Sequence, residues 1–256
     1  MKEPEIPEAF CTAAAFNEAL AFLAEEKERA KILRYFKSGE GEYGAGDVFI
    51  GVKMGQVFEL AKAFINMPVQ QIELLMESHI HEARAGAMSI MDKQARSKKT
   101  SAEKKEAIYN LYLRRHDRVN NWDLVDLAAI HVIGGFLQNR DRQVLYRLAH
   151  SANMWERRTA IVATAFFIKS GDVKDTFAIA EILVNDTEDL VNKAVGGWIR
   201  HAGAKTHRPL LLDFLNRHAA VMPRTTLRYA IEHLDEEARQ HYLGLKTKPD
   251  QQASII

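Results

Sequence analysis

The sequence predicts an all-α fold, and three observations carry that expectation. No proline lies between Pro68 and Pro209. So long a proline-free run suits helices, whose interiors a proline destabilises by about 3 kcal/mol. Apolar residues recur at three- and four-residue steps, the spacing of one helical face, and no segment alternates cleanly as a strand would. Four segments also align on one another: "HEARAGAM" from His81, "WDLVDLAA" from Trp122, "WERRTAIV" from Trp155 and "VNKAVGGW" from Val191. Each opens on a large residue beside a polar one and then turns apolar, at the drifting period that stacked two-helix repeats produce. A pair of helices cannot bury its own apolar face, so neighbours stack into a curved solenoid with a concave groove.

Composition narrows the class. Hydrophobic residues make up 47% and charged residues 27%, ordinary values for a soluble globular chain. No apolar stretch approaches the ~18–20 residues of a membrane span, so no membrane partner is expected. The apolar run from Ala9 to Phe16 follows Glu3, Glu5 and Glu8 rather than basic residues, which argues against a signal peptide. A single cysteine, Cys11, leaves no disulfide framework and no cysteine-based zinc site. The expected setting is the reducing cytoplasm.

Along the chain, the glycine-rich stretch "KSGEGEYGAGD" (37–47) is expected to be a connecting loop. Gly39, Gly41 and Gly44 match the spacing of a dinucleotide fingerprint, but no strand precedes them, and Glu40 and Glu42 would repel a pyrophosphate. "VFELAKAFI" (57–65) and "IELLMESHI" (72–80) read as amphipathic helices. His79 and His81 are two apart and face different sides of a helix, so no metal site is expected, and Glu82 is expected to bond a neighbouring repeat's cap or arginine.

Charge is unevenly spread. Lys93, Arg96, Lys98, Lys99, Lys104, Lys105, Arg114, Arg115 and Arg118 face only Glu103, Glu106 and Asp117 in their segment, whereas acidic residues outnumber basic ones before Asp47. That asymmetry suits a polyanion partner; solvated helix faces laced with ion pairs would show it too.

"NNWDLVD" (120–126) comes next, with Asn120 or Asn121 as the expected helix cap. Residues four apart share a helical face, so Trp122 and Asp126 project together, while Asp123 reads as a helix-start residue at the positive end of the dipole. Helices are expected over "LVDLAAIHVIGGFL" (124–137) and "AIVATAFFI" (160–168). Trp155 opens "WERR", where a large residue can staple a helix start, and Arg157 or Arg158 can face the groove. Lys193, Trp198 and Arg200 crowd "NKAVGGWIRHAG" (192–203), and Lys205, Arg224 and Arg228 continue the basic series.

Taken together, "GEYGAGDVFIGVKMGQVFELAK", "HEARAGAMSIM", "NNWDLVD", "WERRTAIVATAFFI", "KAVGGWIRHAGAK" and "PRTTLRYAIE" resemble the DNA alkylation repair proteins, the AlkD-like alkylpurine DNA glycosylases built from HEAT-like repeats. The resemblance runs from about Arg34 to about Tyr242, with the segments in the family's order. It implies a superhelical solenoid of HEAT-like two-helix repeats with a concave basic groove, in a single α-solenoid domain over 1–256. N-terminal helices would occupy 1–36, repeats 37–242 and a disordered tail 243–256.

The resemblance also implies the activity: excision of positively charged N3- or N7-alkylated purines from duplex DNA in base excision repair. The reaction would be a monofunctional hydrolysis leaving an abasic site, with no cofactor and no metal, by a monomer. Trp122 and Asp126 match the family's positions for holding the cationic base and stabilising the sugar cation, and Arg158 its arginine at the DNA backbone. Trp155, Trp198, Lys193, Arg157, Arg200, Arg118 and Arg224 are the further expected DNA-binding residues. One departure stands out. The family commonly reads Lys-Ala-aliphatic-Gly-Trp; here Lys193-Ala194-Val195-Gly196 is followed by Gly197, and Trp198 comes one place late. Alternatives are a DNA-binding paralogue without glycosylase activity and a HEAT-like protein-binding adaptor.

Overall fold

The computed structural model describes residues 6–205 and 207–245, with the side chains of 204 and 205 outside the description. Among the described residues the chain is helical and forms no strand beyond one isolated bridge, Val48 to Ile80. It divides into two compact units, one up to Arg140 and one from Asp141.

The first unit carries α1 (Ala13–Phe22), α2 (Glu26–Tyr35), α3 (Met54–Ala63), α4 (Val69–Met76), α5 (His81–Arg96), α6 (Ala102–Arg114), α7 (Trp122–Ala128) and α8 (Gly135–Leu137). The second carries α9 (Gln143–Ala149), α10 (Met154–Ala163), α11 (Ala165–Ile168), α12 (Lys174–Ile182), α13 (Asp189–Lys205), α14 (Arg208–His218), α15 (Arg224–Ala230) and α16 (Glu236–Gly244). Local chemistry sets the starts. Thr12, Ser101, Asn121, Asn153 and Asp235 accept helix-start N–H bonds through their side chains, as capping residues do. Pro68 and Pro223 stand at N-cap positions and Pro209 in a first turn, where the missing N–H costs nothing.

α5 is the central element of the first unit. Most of its residues are buried, and α3, α4 and α7 pack on it. In the second unit α13 holds that place, against α10, α14 and α15. A methyl group at Gly196 would lie 2.5 Å from the Thr226 carbonyl oxygen, so the α13–α15 crossing closes only because that residue has no side chain.

Several boundaries differ from expectation, each for a local reason. The helix expected over 72–80 ends at Met76, because Val48 takes the backbone partners at its far end: Val48 N donates to the His79 carbonyl and His81 N to the Val48 carbonyl. The helix expected over 124–137 is not uniform; Ala129–Gly134 forms a π segment between α7 and α8. The helix over 160–168 breaks at Thr164, whose hydroxyl donates back to the Ile161 carbonyl at 2.7 Å. Of the expected tail, residues up to Gly244 are helical in α16, and 246–256 lie outside the described residues. No helix among the described residues is long and apolar enough to cross a membrane.

Candidate functional site

Trp122 and Asp126 line one cleft of about 510 Å³ in the first unit. α2 contributes Glu28, Lys31, Ile32 and Tyr35, with Phe36 just beyond it; Lys53, Met54 and Phe58 come from the start of α3. Asp123 and Leu127 complete the α7 side. The cap left open between two asparagines is Asn121, whose side-chain oxygen accepts the Trp122 N–H at 2.8 Å. Asp126, one turn on, is exposed at the cleft.

The cleft has an aromatic wall. The Trp122 ring stacks on Phe36 with centroids 5.7 Å apart and planes 21° off parallel, and meets Tyr35 edge-on at 5.9 Å. Phe36 stacks in turn on Phe49 at 5.2 Å, and Phe49 lies 4.7 Å from the His81 ring. The indole Nε1–H donates to the Tyr43 hydroxyl at 3.3 Å, which pins the ring's rotation from the loop side. Such a wall offers negative π-faces to a flat cation, an attraction of about 0.5–2 kcal/mol. At the rim, Lys31 donates to Glu28 at 2.7 Å and holds its carboxyl below the usual range, with Lys53 4.0 Å away.

Behind α7 lies a buried charged cluster. His81 is fully buried, and both ring nitrogens meet carboxylates: Nε2 to Asp123 at 2.8 Å and Nδ1 to Asp47 at 3.2 Å. A neutral imidazole has only one N–H to give, so this geometry calls for imidazolium. Burial opposes the charge, but the hydrogen bonds His81 donates to Asp123 and Asp47 outweigh it and raise the pKa to about 9. Asp47 also accepts from Arg84 at 2.5 Å, Asn120 at 2.8 Å and Asn121 at 3.3 Å. Its own burial is likewise outweighed by the His81 bond and the Arg84 charge, and its pKa falls to about 2. Asp123 is thus more than a helix-start charge. Glu82 bonds neither an arginine nor a repeat's cap; it accepts from the backbone N–H groups of Ile50, Gly51 and Val52.

The other expected site residues lie elsewhere, most of them in the second unit. Arg158 on α10 is buried, with its guanidinium donating to the Leu190 carbonyl. Arg157 is occupied by Asp186, at 2.6 Å and 3.2 Å, and by the Ser151 and Ala152 carbonyls. Trp155 is buried beside the Asn153 cap, the placement of a packing residue. Lys193 pairs with Asp189 at 2.8 Å, Arg200 with Glu232, and exposed Arg224 donates to the Leu243 carbonyl. In the first unit, Arg118 caps the end of α4 through the Met76 and Glu77 carbonyls. Arg114 and Arg115 bind Glu73 of α4 and Glu77, its C-cap. Much of the basic run therefore serves helix packing.

No bulge compensates for the late tryptophan. α13 runs unbroken from Asp189 to Lys205 as an α-helix. Trp198 packs against Ile168, Val173 and Ala202, while a methyl group at Gly197 would meet nothing within 4 Å.

The α2 side of the cleft is not evident from the sequence, although Glu28, Lys31, Ile32 and Tyr35 show the three- and four-residue spacing of a single helical face. What joins that face to α7 is tertiary packing, and no local signal announces it.

The class that the fold and cleft define is an all-helical protein in which an indole and an exposed carboxylate stand on adjoining turns of one helix, with Phe36 and Tyr35 packed on the indole. Comparison with known proteins gives the family. The chain belongs to the DNA alkylation repair enzyme family, whose model matches residues 16–234. Its fold is similar to a solved structure described as a predicted DNA alkylation repair enzyme from Enterococcus faecalis, at 18% identity and a TM-score of 0.65, covering 85% of this chain and 99% of that one. No curated protein matches the chain.

Proposed function

We propose that this protein is a DNA glycosylase that removes N3- or N7-alkylated purines, such as 3-methyladenine and 7-methylguanine, from duplex DNA and leaves an abasic site. The observation that carries the reading is the placement of Trp122 and Asp126 in one cleft, with the indole backed by Phe36 and Tyr35. Family membership supplies the DNA and the alkylation damage.

The chemistry suits these residues. Alkylation at N3 or N7 makes the base cationic and weakens its bond to the sugar. The aromatic wall holds the cation. As the C1′–N bond breaks, the electron pair leaves with the base and C1′ becomes oxocarbenium-like. The Asp126 carboxylate stabilises that charge and orients the water whose oxygen bonds to C1′, taking up its proton. Phosphate contacts fall to cations that stay exposed, such as Lys98, Lys99, Arg224 and Arg228, and these give salt-dependent affinity without sequence preference. Helices that are not chain neighbours pack in each unit, α3 on α5 and α5 on α7, then α10 on α13 and α13 on α15. This supports the reading as HEAT-like repeats.

The test is release of free base from methylated duplex, measured by chromatography. Wild-type protein is expected to release 7-methylguanine or 3-methyladenine. Asp126→Asn should lower the rate by roughly 10²–10³ while duplex affinity stays near wild type, since the charge stabilisation and proton uptake it removes act only as the bond breaks. Wild-type protein that binds the duplex and releases no base would favour a second reading, a non-catalytic DNA-binding paralogue. One observation supports that alternative: the open space at Gly197, where the family's tryptophan is expected.

A further inference from the structure

We infer that the buried Asp47–His81–Asp123 cluster, together with Tyr43, is a charged clamp that sets the orientation of Trp122 and Asp126, making these four residues positioning residues for the cleft. The inference rests on the cleft being the site of base excision.

The geometry is closed on every side. His81 stands at the start of α5, and its two ring nitrogens bridge a loop to a helix: Asp47 ends the glycine-rich loop, and Asp123 follows Trp122 in the first turn of α7. Asp47 spends its remaining acceptor capacity on Arg84, Asn120 and Asn121. Asn121 in turn caps α7 at the Trp122 N–H. Four residues before Asp47, Tyr43 accepts the indole N–H of Trp122. The same loop is thus tied to α7 twice, by charge at the helix start and by a hydrogen bond at the aromatic ring. Two carboxylates, one imidazolium and one guanidinium leave the buried cluster neutral. Phe36 and Phe49 flank the imidazole, and Glu82 next to it is turned to the backbone of 50–52. Asp123 and Phe36 also line the cleft, whereas Asp47, His81 and Tyr43 do not and act on it through α7 and its indole.

An imidazole that loses its proton can keep only one of the two carboxylate bonds. Deprotonation therefore breaks the bridge from α5 to either the loop or α7 and loosens the hold on the indole. The raised pKa of about 9 places that event above neutrality.

The test uses the full chain with two variants and two readouts. The Trp122 indole N–H resonance, assigned by its absence in Trp122→Phe, reports the ring's environment without reference to activity. Tyr43→Phe, the milder variant, should shift that resonance, speed its solvent exchange and slow base release roughly tenfold, with the helix content and duplex affinity retained. Wild-type excision should fall in a single step as the pH rises through about 9. His81→Asn should sit at the lowered rate across that range and lack the step. A Tyr43→Phe protein with unchanged resonance and rate overturns the inference, as does the same alkaline step persisting in His81→Asn. If wild-type protein releases no base, the glycosylase reading fails and the resonance decides alone. Its movement through the alkaline step in wild type but not in His81→Asn supports the clamp, and its invariance sinks it.

Discussion

Glu82 is fully buried, yet its carboxylate accepts from the backbone N–H groups of Ile50, Gly51 and Val52, the last at 3.3 Å. Those groups sit where the chain turns into α3, and Gly51 there has φ +87, a left-handed conformation that suits glycine. A β-carbon at Gly51 would also lie 2.2 Å from the Glu25 carbonyl oxygen, so the turn is pressed against α2. The carboxylate therefore fixes the junction on which the α2 and α3 walls of the cleft depend. Glu82→Gln keeps the shape but removes the charge from three hydrogen bonds. It should lower stability by about 1–3 kcal/mol, read as a fall in thermal midpoint. An unchanged midpoint would show that the junction holds without the charge.

Two adjacent glycines on α13 separate packing from helix propensity. At Gly196 a methyl group would meet the Thr226 carbonyl oxygen at 2.5 Å and the Tyr229 β-carbon at 2.6 Å, both parts of α15 that cannot swing aside. At Gly197 it would meet nothing within 4 Å. Gly196→Ala should destabilise by about 1–3 kcal/mol, because α13 and α15 must move apart. Gly197→Ala should instead stabilise by up to about 1 kcal/mol, the ordinary preference of a helix interior for alanine. Urea unfolding of the two variants checks the contrast, and equal shifts in one direction would contradict it. At this scale the sequence was legible in part. The spacing of Trp122 and Asp126 showed their shared face, and the asparagines before them announced a cap. The π segment at Ala129–Gly134 and the break at Thr164 were not legible, because both arise inside runs with an uninterrupted helical pattern.

For the molecule as a whole, the buried cluster sets how stability varies with pH. Folded His81 holds its proton up to about 9, against an ordinary 6.5. Its stabilisation is complete below pH 6.5 and disappears as the pH rises through about 9; at one pKa unit per 1.36 kcal/mol this is of order 3 kcal/mol. Folded Asp47 is held at about 2 against an ordinary 3.8, so its stabilisation is present above pH 3.8 and lost as the pH falls through about 2. The two share a hydrogen bond, and their effects do not add. The expected urea midpoint is therefore level between these limits and falls on both sides. His81→Asn should abolish the alkaline fall while the acid limb persists. An alkaline limb identical in that variant would assign the fall to other groups.

The sequence by itself determined the helical class, the loop over 37–47, the pairing of Trp122 with Asp126 and the resemblance to the family that the comparison bears out. These follow from local rules: proline placement, apolar period, capping chemistry and the fixed turn of a helix, each acting over a few residues. Only the tertiary structure decided which charges are used. It turned Arg114, Arg115, Arg118 and Arg157 toward carboxylates and carbonyls inside the fold, and it drew Asp47, His81 and Asp123 together from a loop and two helices. The physical reason is that a charge run looks alike in sequence whether it meets solvent or a partner. The cost of burying a charge without one is settled only when distant segments pack.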